Sequence, residues 1–538
     1  MIEPPGGDRA PSTAGRLARS TAFFSIATAL SRVAGLVREI VAASYFGIKG
    51  PMSAFTIAFQ FPNLVRGLFA DAAIQAAFVP VFTEQLERGR QREAFRLAST
   101  LVFLAALLLG AMTALFILLA PVVMPLLAPG YSGEQLDLVI ALSRVLFPIL
   151  VLLGLSGMVV GVLNSYDRFA AFAISPLFWN IAIIAVLVGL VPAFPEEDEI
   201  YAYAIGVLVG TVVQLSIPAF DLRNTPFRLL RVFDWRGVGV RRVLLLMLPV
   251  TITLGLINFN LQINSFFGTL IDDPIVSQRA PAAIDKAFRI YMLPQGIFSV
   301  AVATVLFPTL ARFAARGEYA DLRATMANGM RQIVLLLVPA MAAILVLSEP
   351  MIRLVYERGE FDASQTELVA TALFWWAFSL PFNGLFLLFS RTFFSLQRPW
   401  TPTAIAVGNL IVTAAASAAL YGPFEVAGIV AATVIATAAS VLAQAIVLRR
   451  QLGGLEIPAL IGTAARVALA AAALAAAAWL VWDLLDGALG RDLWAQIASM
   501  AAALTAGAAV YVAGVFALRV PEAEQIARLA RRGGRNRG

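Results

Sequence analysis

Apolar stretches of about twenty residues, separated by short polar breaks, recur along this chain from end to end. They fall near 19–45, 52–80, 94–126, 135–163, 169–191, 200–219, 241–270, 284–310, 325–347, 365–391, 401–420, 424–448, 459–482 and 494–518. A helix rising ~1.5 Å per residue crosses the ~30 Å hydrocarbon layer in ~20 residues, so the pattern predicts about fourteen membrane-spanning helices. A transmembrane β-barrel would instead show segments of ~10 residues with alternating polarity. The expected fold class is therefore an all-α polytopic membrane protein. The amino terminus, "MIEPPGGDRAPSTAGRLARS", is polar and leads into a long apolar run followed by further spans, unlike a cleaved signal peptide.

The pattern also repeats. Residues 131–168 align without gaps on 361–398, pairing Gln135 with Gln365, Gly154 with Gly384, Ser165 with Ser395 and Arg168 with Arg398. Weaker echoes join "SYFG" at 44–47 to "SFFG" at 265–268, and "FVPVFTEQLERG" at 78–89 to "LFPTLARFAARG" at 306–317. Three matches in one order predict a duplication into two six-helix lobes, 19–222 and 241–450. An Arg-rich linker at 223–240 joins them, a helix pair at 451–519 follows, and tails at 1–18 and 520–538 flank the whole. An even helix number per lobe makes the repeats parallel, as in several transporter classes.

Charge refines the topology. The net charge is +7, but the basic residues cluster in alternate connections, among them Arg88, Arg90, Arg92 and Arg96 and the run from Arg223 to Arg242. "LAPGYSGEQ" and "AFPEEDE" hold none; Lys49, Arg279, Arg353, Arg358 and Arg491 break the pattern. The positive-inside rule then places both termini in the cytoplasm, and no nucleic-acid partner is needed to explain the basic balance. Cys and His are both absent, which removes thiol chemistry and the commonest metal ligand and general base.

Composition leaves one anomaly. "SRVAGLVREIVAASYFG" (31–47) sets Arg32, Arg38 and Glu39 inside an apolar run, although an ionised side chain at the bilayer centre costs ~2.5–3.5 kcal/mol on insertion scales. At ~100° per residue, Arg32, Gly35, Arg38 and Glu39 share an arc of about 120°. The second span repeats the spacing with Gln60, Asn63, Arg66 and Gly67, with Pro62 expected to kink or break the helix and Asp71 toward its inner end. The eighth span holds Arg289, again followed by a proline, Pro294. An ion pair of Arg38 with Glu39 or with the second span is the purely structural explanation. The functional one is a wet cationic cavity, because guanidinium forks match phosphate oxygens bidentately. That chemistry asks for a phosphate or pyrophosphate at membrane depth, more naturally a lipid-linked headgroup than a free nucleotide.

Other polar positions carry less. "IDDP" (271–274) and "EEDE" (196–199) read as solvated turns, and Arg144 and Arg391 as packing or snorkelling residues. Asn258, Asn260, Asn264, Asn383 and Asn409 fit interhelical hydrogen bonds better than cation coordination. No P-loop, zinc spacing or Ser/His/Asp set is present, so no metal site is assigned and no cofactor is expected.

The segments "SRVAGLVREIVAASYFG", "AFQFPNLVRGLFADAAIQAAFVPVF" and "YMLPQGIFSVAVATVLFPTLAR" together resemble the MurJ (MviN) lipid II flippase family. That family sits in a superfamily with multidrug extruders and polysaccharide flippases. The resemblance implies a transporter rather than an enzyme. Its cargo would be lipid II, the undecaprenyl-pyrophosphate-linked disaccharide-pentapeptide, moved from the inner to the outer leaflet of the bacterial cytoplasmic membrane for peptidoglycan synthesis. It implies that Arg32, Arg38, Arg66 and Arg289 line a cationic cavity, supported by Ser31, Gly35, Glu39, Asn63 and Gly67. Pro62 and Pro294 would serve as hinges of alternating access, and the helices of 451–519 would form a groove for the lipid tail. Acidic positions of some relatives hold Ser53, Phe288 and Met292 here, which puts any gate or proton step built on those carboxylates in doubt. Coupling to the membrane potential or to a monovalent ion is compatible with the sequence, and so are cell-wall synthesis proteins and membrane lipids as partners. The rival functions are export of another polyprenyl-linked oligosaccharide and a non-transporting scaffold for cell-wall enzymes.

Overall fold

The computed structural model describes residues 13–69 and 71–524, with side chains described except at 13–22, 25, 65–76, 246 and 248–258. Sixteen α-helices account for nearly all of it: α1 Thr13–Phe46, α2 Gly50–Phe69, α3 Asp71–Glu87, α4 Gln91–Leu127, α5 Gly133–Leu146, α6 Ile149–Ser165, α7 Ala170–Leu190 and α8 Ile200–Asp221 come first. They are followed by α9 Val238–Thr269, α10 Pro274–Pro294, α11 Val300–Arg316, α12 Tyr319–Tyr356, α13 Ala363–Ser395, α14 Trp400–Leu452, α15 Ile457–Leu489 and α16 Leu493–Ala517. Among the described residues nine helical stretches are long and apolar enough to cross a membrane, and 363–395 is a tenth as two arms bent by 43°.

The predicted spans map onto these helices with local breaks. Pro148 lies in the short joint between α5 and α6, where a proline removes a backbone donor. α14 contains two of the predicted spans, divided after Pro423 at Glu425, whose φ of 48° no helix accommodates. α2 runs through Pro62 without a break. Pro294 closes α10, and a π-helical turn, Gln295–Ser299, leads into α11.

Positions that the sequence repeat pairs share local features. Asp167 and Gln397 both take a left-handed φ of 57°. Ser165 and Ser395 each donate through Oγ to the carbonyl four residues back, both at 3.0 Å. A Cβ on Gly154 would lie 2.1 Å from Leu109 Cδ1 on α4, and one on Gly384 2.6 Å from Leu337 Cδ1 on α12. Gly154 thus lets α6 approach α4 closely and Gly384 lets α13 approach α12, and the sequence pairs these two glycines.

The chain forms two compact units. Of the described residues, one comprises those of 13–42, 57–69, 71–126 and 132–258, the other those of 43–56, 127–131 and 259–524. In the first, Phe78, Phe82, Phe95 and Phe227 are buried together, with the Phe95 and Phe227 rings 5.2 Å apart edge to face. Phe227 belongs to the Arg-rich linker, so this segment is a packed part of the unit. Its backbone is tied down where Leu230 N donates to Ser99 Oγ (2.9 Å) and Asp234 N to Thr100 Oγ1 (3.2 Å).

In the second unit, four of the five basic residues that broke the charge pattern have acceptors. Lys49 pairs with Glu360 and Arg353 with Asp486. Arg279 donates to Ser364 Oγ (3.2 Å) and Arg358 to the carbonyl of Leu354 (2.5 Å). The asparagines also find partners: Asn260 donates to Asn409 (2.9 Å), Asn409 to Ser440 (3.0 Å) and Asn383 to Tyr291 (2.7 Å), while Asn264 accepts from Thr433 (3.1 Å). Asn258 lies outside the residues with described side chains. In the "IDDP" turn, Asp273 caps α10 by accepting from the backbone N–H groups of Ile275 and Val276.

Candidate functional site

In the first unit the charged arc of α1 meets α7. Arg38 is only 7% exposed and Glu39 4%, and Arg38 Nη2 lies 2.5 Å from Glu39 Oε1. The guanidinium carbon sits 4.6 Å above the ring centre of Trp179 on α7. Arg38 is therefore paired with a carboxylate and set over an aromatic ring, which is how a cation tolerates removal from water. The internal ion pair raised as the structural alternative is thus present. Arg32 is exposed and Ser31 half-buried. The carbonyl of Ser31 accepts from Asn180 Nδ2 at 3.3 Å. A Cβ on Gly35 would lie 3.7 Å from Asn180 Oδ1, an ordinary contact, so the α1–α7 approach there does not demand glycine.

Asn63 is half-buried and Pro62 buried on α2. Arg66, Gly67 and Asp71 lie outside the residues with described side chains.

In the second unit Arg289 projects from α10 with 37% of its side chain exposed. Its Nε and Nη2 each lie 3.3 Å from a different carboxylate oxygen of Asp285, one turn earlier, which is 8% exposed. Asp285 supplies the carboxylate that Phe288 and Met292 do not. Phe288 packs against Trp376 at 5.1 Å, and Met292 is exposed. Lys286 is fully buried, its ammonium 5.6 Å from the Tyr356 ring. Asp285 stands in the same predicted span as Arg289, and its i, i+4 spacing to Arg289 was a readable signal. Trp179 and Asn180 gave no comparable signal, since their role depends on α7 lying against α1.

Directly after Arg289 the chemistry changes. Ile290, Leu293 and Pro294 line a cavity of about 590 Å³ in the second unit, with Pro339 and Ala343 of α12 and Leu474 and Gly507 of α15 and α16 also on its wall. Its single hydroxyl, on Tyr511, donates to the carbonyl of Leu335 at 2.6 Å. The wall is apolar throughout. Arg144 donates to the carbonyl of Ile117 (3.4 Å) and Arg391 stacks 5.4 Å from the Phe307 ring, both packing roles. Among the described residues no group of three or more Asp or Glu side chains is arranged to hold a metal ion.

A family model described as lipid II flippase MurJ matches residues 42–490, beginning just past Glu39. The chain is 32% identical over 527 residues to a probable lipid II flippase MurJ of Rhizobium meliloti (strain 1021), covering 96% of this chain and 97% of the relative. It is 31% identical over 397 residues to lipid II flippase MurJ of Burkholderia cenocepacia, covering 72% and 75%. Among solved structures, a lipid II flippase MurJ in an inward closed conformation superposes with a TM-score of 0.75 at 22% identity, over 92% of this chain and 98% of that one. An inward-facing multidrug resistance MATE family transporter of the MOP superfamily superposes with a TM-score of 0.65 at 12% identity, over 79% and 94%. At these identities the structural likeness concerns the fold.

Proposed function

We propose, because the chain belongs to the lipid II flippase MurJ family, that it is a lipid II flippase of the bacterial cytoplasmic membrane. The cargo is an undecaprenyl-pyrophosphate carrying the peptidoglycan precursor, and it moves from the inner to the outer leaflet for cell-wall synthesis. Both termini then face the cytoplasm, as the basic connections require. One observation carries the reading: on α10 a half-exposed guanidinium, Arg289, is followed at once by an apolar cavity that begins at Ile290. A soluble anion has no use for such a wall, whereas a prenyl pyrophosphate needs both.

In this mechanism Arg32, Arg38, Arg66 and Arg289 receive the pyrophosphate, with Ser31, Glu39 and Asn63 as supporting polar groups. The two carboxylates that hold Arg38 and Arg289 at rest are exchanged for phosphate oxygens, which offer the same bidentate geometry with a larger charge. The prenyl chain follows the groove between α12, α15 and α16. Carrying an ionised headgroup through bare hydrocarbon would cost tens of kcal/mol by Born solvation, and the arginines replace its lost hydration. The helix break after Pro294, continued by the π-turn, serves as a hinge for alternating access, because π-turns weaken the local hydrogen-bond ladder. A potential positive outside favours outward movement of the anion by ~2.3 kcal/mol per charge per 100 mV.

The test is complementation in cells depleted of their own lipid II flippase, comparing wild type, Arg38→Ala and Arg289→Ala at matched membrane levels. Rescue by wild type and loss with either variant is expected. Rescue by both variants would remove the arginines from the site while leaving the transport function standing.

A further inference from the structure

We propose that Trp179 is the positioning residue of Arg38, holding its guanidinium in the plane from which it meets a phosphate. The inference rests on the reading of Arg38 as a headgroup ligand. A guanidinium has two kinds of surface: its faces stack on aromatic rings, and its edge carries all the N–H donors. Glu39 binds at the edge, through Nη2, and so occupies donors that a phosphate would use. Trp179 instead offers its ring face, whose centre lies 4.6 Å from the guanidinium carbon, and brings no carboxylate to compete with a phosphate. Exchange of Glu39 for a phosphate can therefore proceed with the stacking intact, and the ring keeps the freed fork from swinging away.

The ring is itself braced for this task. Its Nε1 donates to Thr211 Oγ1 on α8 (3.2 Å), and the Thr211 hydroxyl donates on to the carbonyl of Val207 (2.7 Å). α8 comes this close because it carries glycines there: a Cβ on Gly210 would lie 3.0 Å from the Trp179 carbonyl oxygen and 2.8 Å from Ile183 Cγ1. The next residue, Asn180, ties α7 to α1 at the Ser31 carbonyl, two turns before Arg38. Ring, brace and second tie make α7 a rigid back wall for the charged arc. The stacking also sets specificity, since a lysine at 38 has no planar face to present.

The experiment measures equilibrium binding of undecaprenyl pyrophosphate to the full-length protein in lipid nanodiscs, with thermal melting of each variant alongside. Trp179→Phe keeps an aromatic face but gives up the Nε1 brace to Thr211, so it should lose clearly less binding than a variant without a ring. Trp179→Leu removes the face and should weaken binding about 2- to 30-fold, the range spanned by exposed to desolvated cation–π contacts. In an Arg38→Ala background Trp179→Leu should add nothing. Trp179→Met, which also lacks a ring, makes the same comparison if the leucine variant melts early. Equal losses in the Phe and Leu variants, or a full further loss on top of Arg38→Ala, would show ordinary packing and overturn the proposal. Normal binding by Trp179→Leu with impaired Arg38→Ala would overturn it while leaving Arg38 a ligand. Normal binding by Arg38→Ala would overturn both readings at once.

Discussion

Replacing Asp285 by asparagine tests whether the resting carboxylate competes with the cargo. The change keeps shape and volume but removes the charge that faces the Arg289 fork at 3.3 Å on both donors. Exposed ion pairs contribute ~0.2–1 kcal/mol, and breaking a buried one costs ~3–5 kcal/mol. This pair lies between, with Asp285 buried but 37% of the Arg289 side chain exposed, and solvent screening holds its net value to about 0.5–1.5 kcal/mol. A cargo phosphate that takes the Nε/Nη2 edge of Arg289 must displace Asp285, so losing the competitor should tighten binding by that amount, about 2- to 10-fold. Tighter capture slows release, so transport should fall as affinity rises. The assay is binding of undecaprenyl pyrophosphate at two salt concentrations, paired with a leaflet-accessibility measurement of transport. A folded Asp285→Asn protein that binds no better than wild type, or worse, would make Asp285 a brace that orients Arg289, and the exchange mechanism would fail.

Further changes probe the rest of the structure. Gly384→Ala drives a methyl group to within 2.6 Å of Leu337 and 2.7 Å of Ile333, and should lower stability by about 1–3 kcal/mol, read as a lower melting temperature. Ala343→Trp fills part of the apolar cavity and should abolish binding of the polyprenyl substrate while a soluble pyrophosphate still binds; unchanged polyprenyl binding would remove this groove from the tail pathway. Arg331→Ala strands Glu522, which is 2% exposed and 2.5 Å from Arg331, and should cost about 3–5 kcal/mol, largely restored by adding Glu522→Gln. Asp362, the amino-terminal cap of α13, has its carboxyl pKa lowered first by the Ser364 hydroxyl and then by the Gln365 backbone N–H. A lowered folded pKa stabilises above the unfolded value and loses that contribution as pH falls through the folded one. An Asp362→Ala protein should therefore show a smaller loss of melting temperature than wild type below about pH 4.

How much of this was legible in the sequence depended on whether the signal was local. Long apolar runs and the repeat were, because span length and matched residues are properties of the chain itself. The π-turn was half legible: Pro294 marks a break, but nothing in one sequence says how the ladder closes after it. Pro62 shows the opposite limit, a proline that α2 absorbs within a continuous helix. The charged arc on α1 was found by angle alone, and so was its bland explanation, the Arg38–Glu39 pair. The two readings are not rivals, however. A guanidinium kept in an apolar layer needs an anion at all times, so a site meant for a passing phosphate must contain a resident carboxylate to hold the place. Arg289 repeats the arrangement with Asp285 one turn away. Trp179 was out of reach, since its value to Arg38 exists only once α7 and α1 are side by side. What a single chain conceals is thus chiefly which groups stabilise its isolated charges, and those same groups decide how readily the charges are given up to a substrate.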